Sequence, residues 1–165
     1  MRRTVRNAAT LASAAVLVLF AASCDDDDIV GANDPTYTAT MNAANEVATP
    51  PVTGTGTGSA TFVDRGTFFE YSISVTGLTG IFASHIHAPA TTTQNAGVII
   101  NLYIGNGNSG PVDGVLATGI ITDANNPNFT VAALRALFDA GTAYVNVHNA
   151  QFTGGAIRGQ IIRSN

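Results

Sequence analysis

The sequence predicts an all-β domain, an antiparallel sandwich or barrel with one short helix. Three observations predict this fold class. Apolar and polar residues alternate along several short segments, which is typical of strands with one buried face. Gly, Asn, Pro and Asp separate these segments at short intervals. Only one segment has helical spacing, so the regular strand and helix alternation of a βαβ fold is missing.

The clearest strand is predicted at residues 67–75. Phe69, Tyr71, Ile73 and Val75 share one side of this segment, and the residues between them are mostly polar. Because successive side chains of a strand point to opposite faces, one face is predicted to be buried and the other solvated. Similar patterns predict strands at residues 37–41, 59–63, 81–87, 98–104, 115–122, 142–148 and 156–162.

The single helix is predicted at residues 131–140. Thr130 can cap its first turn, and Leu134 and Phe138 recur at helical spacing. Gly141 follows in the position where helices commonly end with a left-handed residue. We expect this helix to cover the sheet as a short lid between two strands.

The first 23 residues are predicted to be a lipoprotein signal peptide. Residues 1–7 contain three Arg and no acid, and the apolar run at 11–22 is too short to span a bilayer permanently. The run ends in small residues before Cys24, which resembles the bacterial lipobox. This resemblance implies that Cys24 becomes the lipidated first residue. Ordinary signal cleavage that leaves a free thiol is the alternative.

Residues 24–36 are predicted to be a flexible acidic tether, and residues 37–163 the folded domain. Asp25 to Asp28 repel one another and stay hydrated. Together with a lipid on Cys24, this organisation predicts a membrane-anchored protein of the bacterial cell envelope. The domain would lie outside the cytoplasm, in the periplasm or on the cell surface.

Charge and composition exclude several functions. The chain contains no Lys, and the four Arg beyond the signal segment are scattered, so no basic surface is predicted and nucleic acid is not an expected partner. Cys24 is the only cysteine, which excludes a disulfide framework and thiolate metal sites in the folded domain. The two Glu are far apart in sequence, and no serine-hydrolase motif occurs. No catalytic residue is therefore predicted.

All three histidines lie in two predicted strands. His85 and His87 are two residues apart, so their rings are on one face of the strand. If the two strands pair, His148 completes a three-imidazole site suited to copper or zinc. In the alternative interpretation, the same histidines only bind carbonyl groups at one end of the sheet.

A set of motifs resembles the CHRD domain family, and it extends over essentially the whole predicted domain. The motifs are Asn45-Glu46-Val47, Pro50-Pro51 with Gly54, Ser84-His85-Ile86-His87, Gly97-Val98, Ala140-Gly141 with Tyr144-Val145-Asn146-Val147-His148, and Gly154-Gly155-Ala156-Ile157-Arg158-Gly159-Gln160-Ile161. The resemblance implies an extracellular module named after chordin, a protein that binds growth factors. It also implies an immunoglobulin-like sandwich similar to that of copper-zinc superoxide dismutase, with Glu46, Asn146 and Arg158 in the structural motifs.

The resemblance implies that His85, His87 and His148 match the dismutase copper ligands in type and order. A fourth, bridging histidine, an Asp-rich zinc loop and a cysteine pair are missing from the sequence, so dismutase activity is not expected. Arg158 is expected to pair with Glu46 in a partly buried ion pair.

Two functions stay open. One is a non-enzymatic binding or structural module, with a protein or matrix partner bound through loops such as residues 88–96 and 105–110. The other is a copper or zinc site at the three histidines.

Overall fold

The computed structural model describes residues 34–165, which form one antiparallel sheet of nine strands with one α-helix. The predictions for the signal peptide at 1–23, for lipidation of Cys24 and for all but the end of the tether at 24–36 lie outside the described residues. No helix in the described part is long and apolar enough to cross a membrane.

The strands agree closely with the alternating segments of the sequence. The strands are β1 (Thr36–Asn42), β2 (Thr57–Asp64), β3 (Phe69–Leu78), β4 (Ile81–His87), β5 (Val98–Ile104), β6 (Val112–Ile121), β7 (Tyr144–Asn149), β8 (Ile157–Gln160) and β9 (Ile162–Arg163). A 3-10 turn (Ala43–Asn45) follows β1, and helix α1 (Val131–Asp139) lies between β6 and β7. The segment predicted as one strand at 156–162 divides into β8 and β9.

The strand order is β5-β4-β7-β8-β1-β2-β3-β6, with β9 paired to β1. All pairs are antiparallel. The end strands β5 and β6 contact each other. On β3, the neighbour of β6, the Tyr71 hydroxyl donates a 2.8 Å hydrogen bond to the Leu102 carbonyl on β5. The fold is therefore a nearly closed antiparallel barrel, which confirms the predicted all-β class with one short helix.

The core is filled by the apolar faces of the strands and of α1. Phe138 of the helix is 1% exposed, and its ring centroid lies 5.2–5.3 Å from the ring centroids of Tyr37, Phe62 and Phe69. Aromatic contacts at these separations add to the free energy gained by burial. The helix thus closes the aromatic part of the core, as its spacing predicted.

Both ends of α1 are formed as expected. The Thr130 hydroxyl accepts a 3.2 Å hydrogen bond from the Ala133 amide, and Gly141 has a φ of 63° just after the helix. A side chain with a Cβ rarely adopts that conformation, which explains glycine there.

Candidate metal centre

The three histidines are brought together by the pairing of β4 with β7. In this register His85 faces Asn146, Ala83 faces His148, and His87 faces Tyr144. Ser84 and Ile86 alternate onto the opposite, buried face, and Ser84 Oγ donates to the Asn146 carbonyl at 2.8 Å. The prediction that the two histidine-bearing segments pair, with the rings on one face, is therefore confirmed.

The imidazoles are close enough to share one ion. One ligand nitrogen from each ring lies within 4.8 Å of the others, and His85 Nδ1 is 3.1 Å from His148 Nε2. Two nitrogens that bind one zinc ion tetrahedrally at 2.0–2.1 Å are about 3.3 Å apart. The His85–His148 pair is already near that separation, and the His87 ring, with its centroid 5.7 Å from that of His85, needs a small movement to join it.

Backbone carbonyls orient two of the rings. His148 Nδ1 donates to the Thr153 carbonyl and His87 Nδ1 donates to the Ala96 carbonyl, both at 2.9 Å. A carbonyl can only accept, so the proton is on Nδ1 and the Nε2 lone pair is free in each neutral ring. Hydrogen bonds of this kind fix the tautomer of metal-binding histidines. The carbonyl contacts of the alternative interpretation are thus present, and they also favour metal binding.

Asn146 lies against the free nitrogen of His87. His87 Nε2 is 3.1 Å from the Asn146 side-chain Oδ1. A neutral ring whose Nδ1 carries the proton needs a donor at Nε2, which the Asn146 amide supplies once its oxygen and nitrogen are exchanged. A metal bound at His87 Nε2 would replace this hydrogen bond.

The site keeps the imidazoles neutral. Burial, with smaller contributions from the charges of His148 and His87, lowers the pKa of His85 to about 4. Burial also lowers the pKa of His87 and of His148, against the opposing effect of their carbonyl hydrogen bonds. At neutral pH all three rings are in the unprotonated form that binds metal ions.

Tyr144 and Arg158 lie one behind the other next to His87. The rings of Tyr144 and His87 are stacked, with centroids 4.8 Å apart and planes 1° apart. On the next strand, the Arg158 guanidinium carbon lies 3.4 Å from the Tyr144 ring centroid. Because β7 lies between β4 and β8, His87 and Arg158 approach Tyr144 from opposite sides.

Arg158 is held by the loop at residues 88–97 and is 1% exposed. It donates to the Asn95 Oδ1 at 3.0 Å and to the Thr91 and Gln94 carbonyls at 2.9 Å. Burial lowers its pKa, while Tyr144 and Glu46 raise it. The positive charge is thus surrounded mainly by neutral oxygens.

The prediction that Arg158 forms an ion pair with Glu46 is wrong. Within residues 34–165, the ion pairs with nitrogen–oxygen distances of 4.0 Å or less do not include it. The guanidinium instead donates its hydrogen bonds to oxygens of the loop. Burial raises the pKa of Glu46 to about 7, and the charge of Arg158 opposes this rise only partly. Glu46 Oε1 is buried without a hydrogen-bond partner.

A cleft of about 470 Å³ leads to this face of the sheet. Glu46, His87, Tyr144 and Asn146 line it, and Glu46 also lines a neighbouring cleft of about 500 Å³ that reaches Arg158. Both volumes are in the range of small-ligand sites. The motif residues Glu46 and Asn146 thus share this cleft with His87, and Arg158 lines the neighbouring cleft. The carbonyls of Ala96 and Thr153, which orient His87 and His148, could not be predicted from the sequence, because every residue carries the same backbone carbonyl.

The fold and the site define a small antiparallel β-barrel domain with three neutral imidazoles on one loop-covered face. The chain belongs to the CHRD domain family, whose model matches residues 37–161. No curated protein and no solved structure matches the chain. The family assignment confirms the resemblance drawn from the motifs, and it supports a binding or structural module instead of an enzyme.

Proposed function

We propose that this chain is a non-enzymatic binding module of the bacterial cell envelope, anchored through a lipid on Cys24, and that its best-formed site binds copper or zinc. The signal segment and the lipobox-like sequence before Cys24 support the location. The family assignment supports a binding role. The ion would be held by His85, His87 and His148.

The observation that carries the metal proposal is the convergence of three ligand nitrogens within 4.8 Å of one another. The donor set also fits the chemistry. Neutral imidazoles suit zinc and copper, while calcium and magnesium prefer oxygen ligands. Two of the rings are already oriented by carbonyl groups, so less conformational entropy is lost when an ion binds.

The test is metal analysis of the purified protein, followed by titration with zinc and with copper after chelator treatment. We expect one ion per chain, lost or weakened at least tenfold in His85→Gln. The matched control is Thr76→Ala, an exposed position on β3. Absence of binding in the wild type, or equal binding in His85→Gln, would disprove the metal site.

A protein or matrix partner is the second candidate ligand. Residues 91–95, in the loop that covers Arg158, are all exposed, and loop 105–110 is the other candidate contact. A photo-crosslinking group at Thr93 should capture one defined partner on intact cells. The same group at Thr76 is the control, and identical products from both positions would count against a specific contact.

A further inference from the structure

The three-histidine cluster carries no negative charge of its own. The cluster contains three neutral imidazoles and no carboxylate. A divalent ion would therefore keep its full charge of +2, because no ligand among these three is an anion. Sites for divalent ions often include anionic ligands or carboxylates hydrogen-bonded to the histidines.

A fixed positive charge lies behind His87, on the far side of the Tyr144 ring. Arg158 lies behind Tyr144, with its guanidinium carbon 3.4 Å from the ring centroid, and the His87 ring centroid is 4.8 Å from the same point. The guanidinium is thus no farther from the His87 ring than these two distances together. The Tyr144 ring, which is buried, lies between the two groups.

Arg158 cannot easily turn toward solvent. Its side chain is 1% exposed, and three oxygens of the loop 88–97 accept its hydrogen bonds. Glu46 is the carboxylate whose charge acts on it, but the two form no ion pair within 4.0 Å among the described residues. The positive charge is therefore permanent and only partly compensated.

We propose that Arg158 makes the three-histidine centre selective for Cu(I) over divalent ions. This inference rests on the proposed metal site. Each additional unit of charge on the ion increases its repulsion from the guanidinium. At a separation of about 9 Å and an effective dielectric constant of about 20, Coulomb's law gives about a twentyfold loss of affinity for each unit. Three imidazoles without an anion suit a monovalent copper ion, which needs the least compensation.

The experiment compares Cu(I) and Zn²⁺ affinities, by competition with chromophoric chelators, in wild type, Arg158→Gln and Arg158→Lys. Removal of the charge in Arg158→Gln should lower the ratio of Cu(I) to Zn²⁺ affinity about twentyfold. It should also lower the Cu(II)/Cu(I) potential by about 80 mV, since a tenfold change for one electron is about 59 mV. Arg158→Lys keeps the charge and should keep most of the selectivity.

Glu46→Gln is a second variant, which leaves the hydrogen bonds of Arg158 to its loop intact. Above its pKa of about 7, Glu46 carries a negative charge that partly offsets Arg158. Its removal at pH 8 should therefore change the affinity ratio in the opposite direction, further in favour of Cu(I). This variant keeps the inference testable if Arg158→Gln does not fold.

The outcomes separate this inference from the metal site itself. If the wild type binds neither Cu(I) nor Zn²⁺, both proposals fail. If the ions bind but the ratio stays the same in Arg158→Gln, or in Glu46→Gln where Arg158→Gln is unfolded, the electrostatic inference is overturned while the metal site stands. Tighter Zn²⁺ than Cu(I) binding in the wild type would also overturn it.

Discussion

Replacement of Glu46 by Gln should stabilise the protein at high pH and leave its stability at low pH almost unchanged. Burial raises the pKa of this carboxyl from 4.5 to about 7. The native state therefore holds the proton more tightly than the unfolded chain does. Glu46 thus contributes stability that is fully present below pH 4.5 and is lost as the pH rises through 7.

The size of this effect follows from the shift. A rise from 4.5 to about 7 corresponds to at most about 3.4 kcal/mol of unfolding free energy. Glu46 is only partly buried and borders two clefts, so solvent screening reduces the expected value to about 2 kcal/mol. Glutamine has nearly the same shape and no charge, so it removes the pH dependence without leaving a cavity.

The measurement is urea unfolding of wild type and Glu46→Gln, in chelator, at pH 5 and pH 8.5. The difference between the two proteins should grow by about 1.3 kcal/mol in favour of the variant from the lower to the higher pH, because the remainder of the effect is already present at pH 5. Histidine titration affects both proteins and cancels in this comparison. Glu70→Gln is the control, because Glu70 is the other glutamate of the chain and pairs with Arg65 near the surface. A constant difference at both pH values would refute the buried-carboxyl explanation.

Three further results are expected. Burial lowers the pKa of His85 to about 4, so its contribution to stability is present above pH 6.5 and is lost as the pH falls toward 4. Metal-free His85→Gln should therefore lose less stability than wild type between pH 7 and pH 4.5 in urea unfolding. Phe138→Ala should cost about 3–5 kcal/mol in the same assay, because a fully buried ring is removed from the aromatic core. Cys24→Ala should move the protein from the membrane fraction to the soluble fraction, and mass spectrometry should show a lipid on Cys24 in the wild type alone.

The fold was predictable because strands such as β3 are buried mainly on one face. In β3, Phe69, Ile73 and Val75 are at most 1% exposed, and the alternating pattern in the sequence follows from that burial. The pattern does not specify which strands are neighbours. The continuous path from β5 to β6, and the division of the last predicted strand into β8 and β9, depend on long-range pairing.

The metal-binding residues were predictable from spacing, and their surroundings were not. His85 and His87 lie two residues apart in an extended segment, which places both rings on one face whatever the neighbouring strands are. The stacking of Tyr144 on His87, by contrast, depends on the register between β4 and β7. The wrong prediction of an Arg158–Glu46 pair has a similar cause. Two opposite charges in motif positions indicated a pair, but the backbone carbonyls that bind Arg158 leave no trace in the sequence.

The motif Ile157-Arg158-Gly159-Gln160 explains how one short strand can serve both the fold and the site. Ile157 is fully buried in the core, and a Cβ on Gly159 would clash with the backbone carbonyl of Thr40 on β1. The other two side chains point to the histidine face and bind the loop that covers it. Arg158 donates to oxygens of residues 91–95, and Gln160 Nε2 donates to the carbonyls of Ala90 and Gly141 at 2.8 Å. Because the same loop supplies the Ala96 carbonyl to His87, a change in this strand should alter both the loop position and the orientation of a metal ligand.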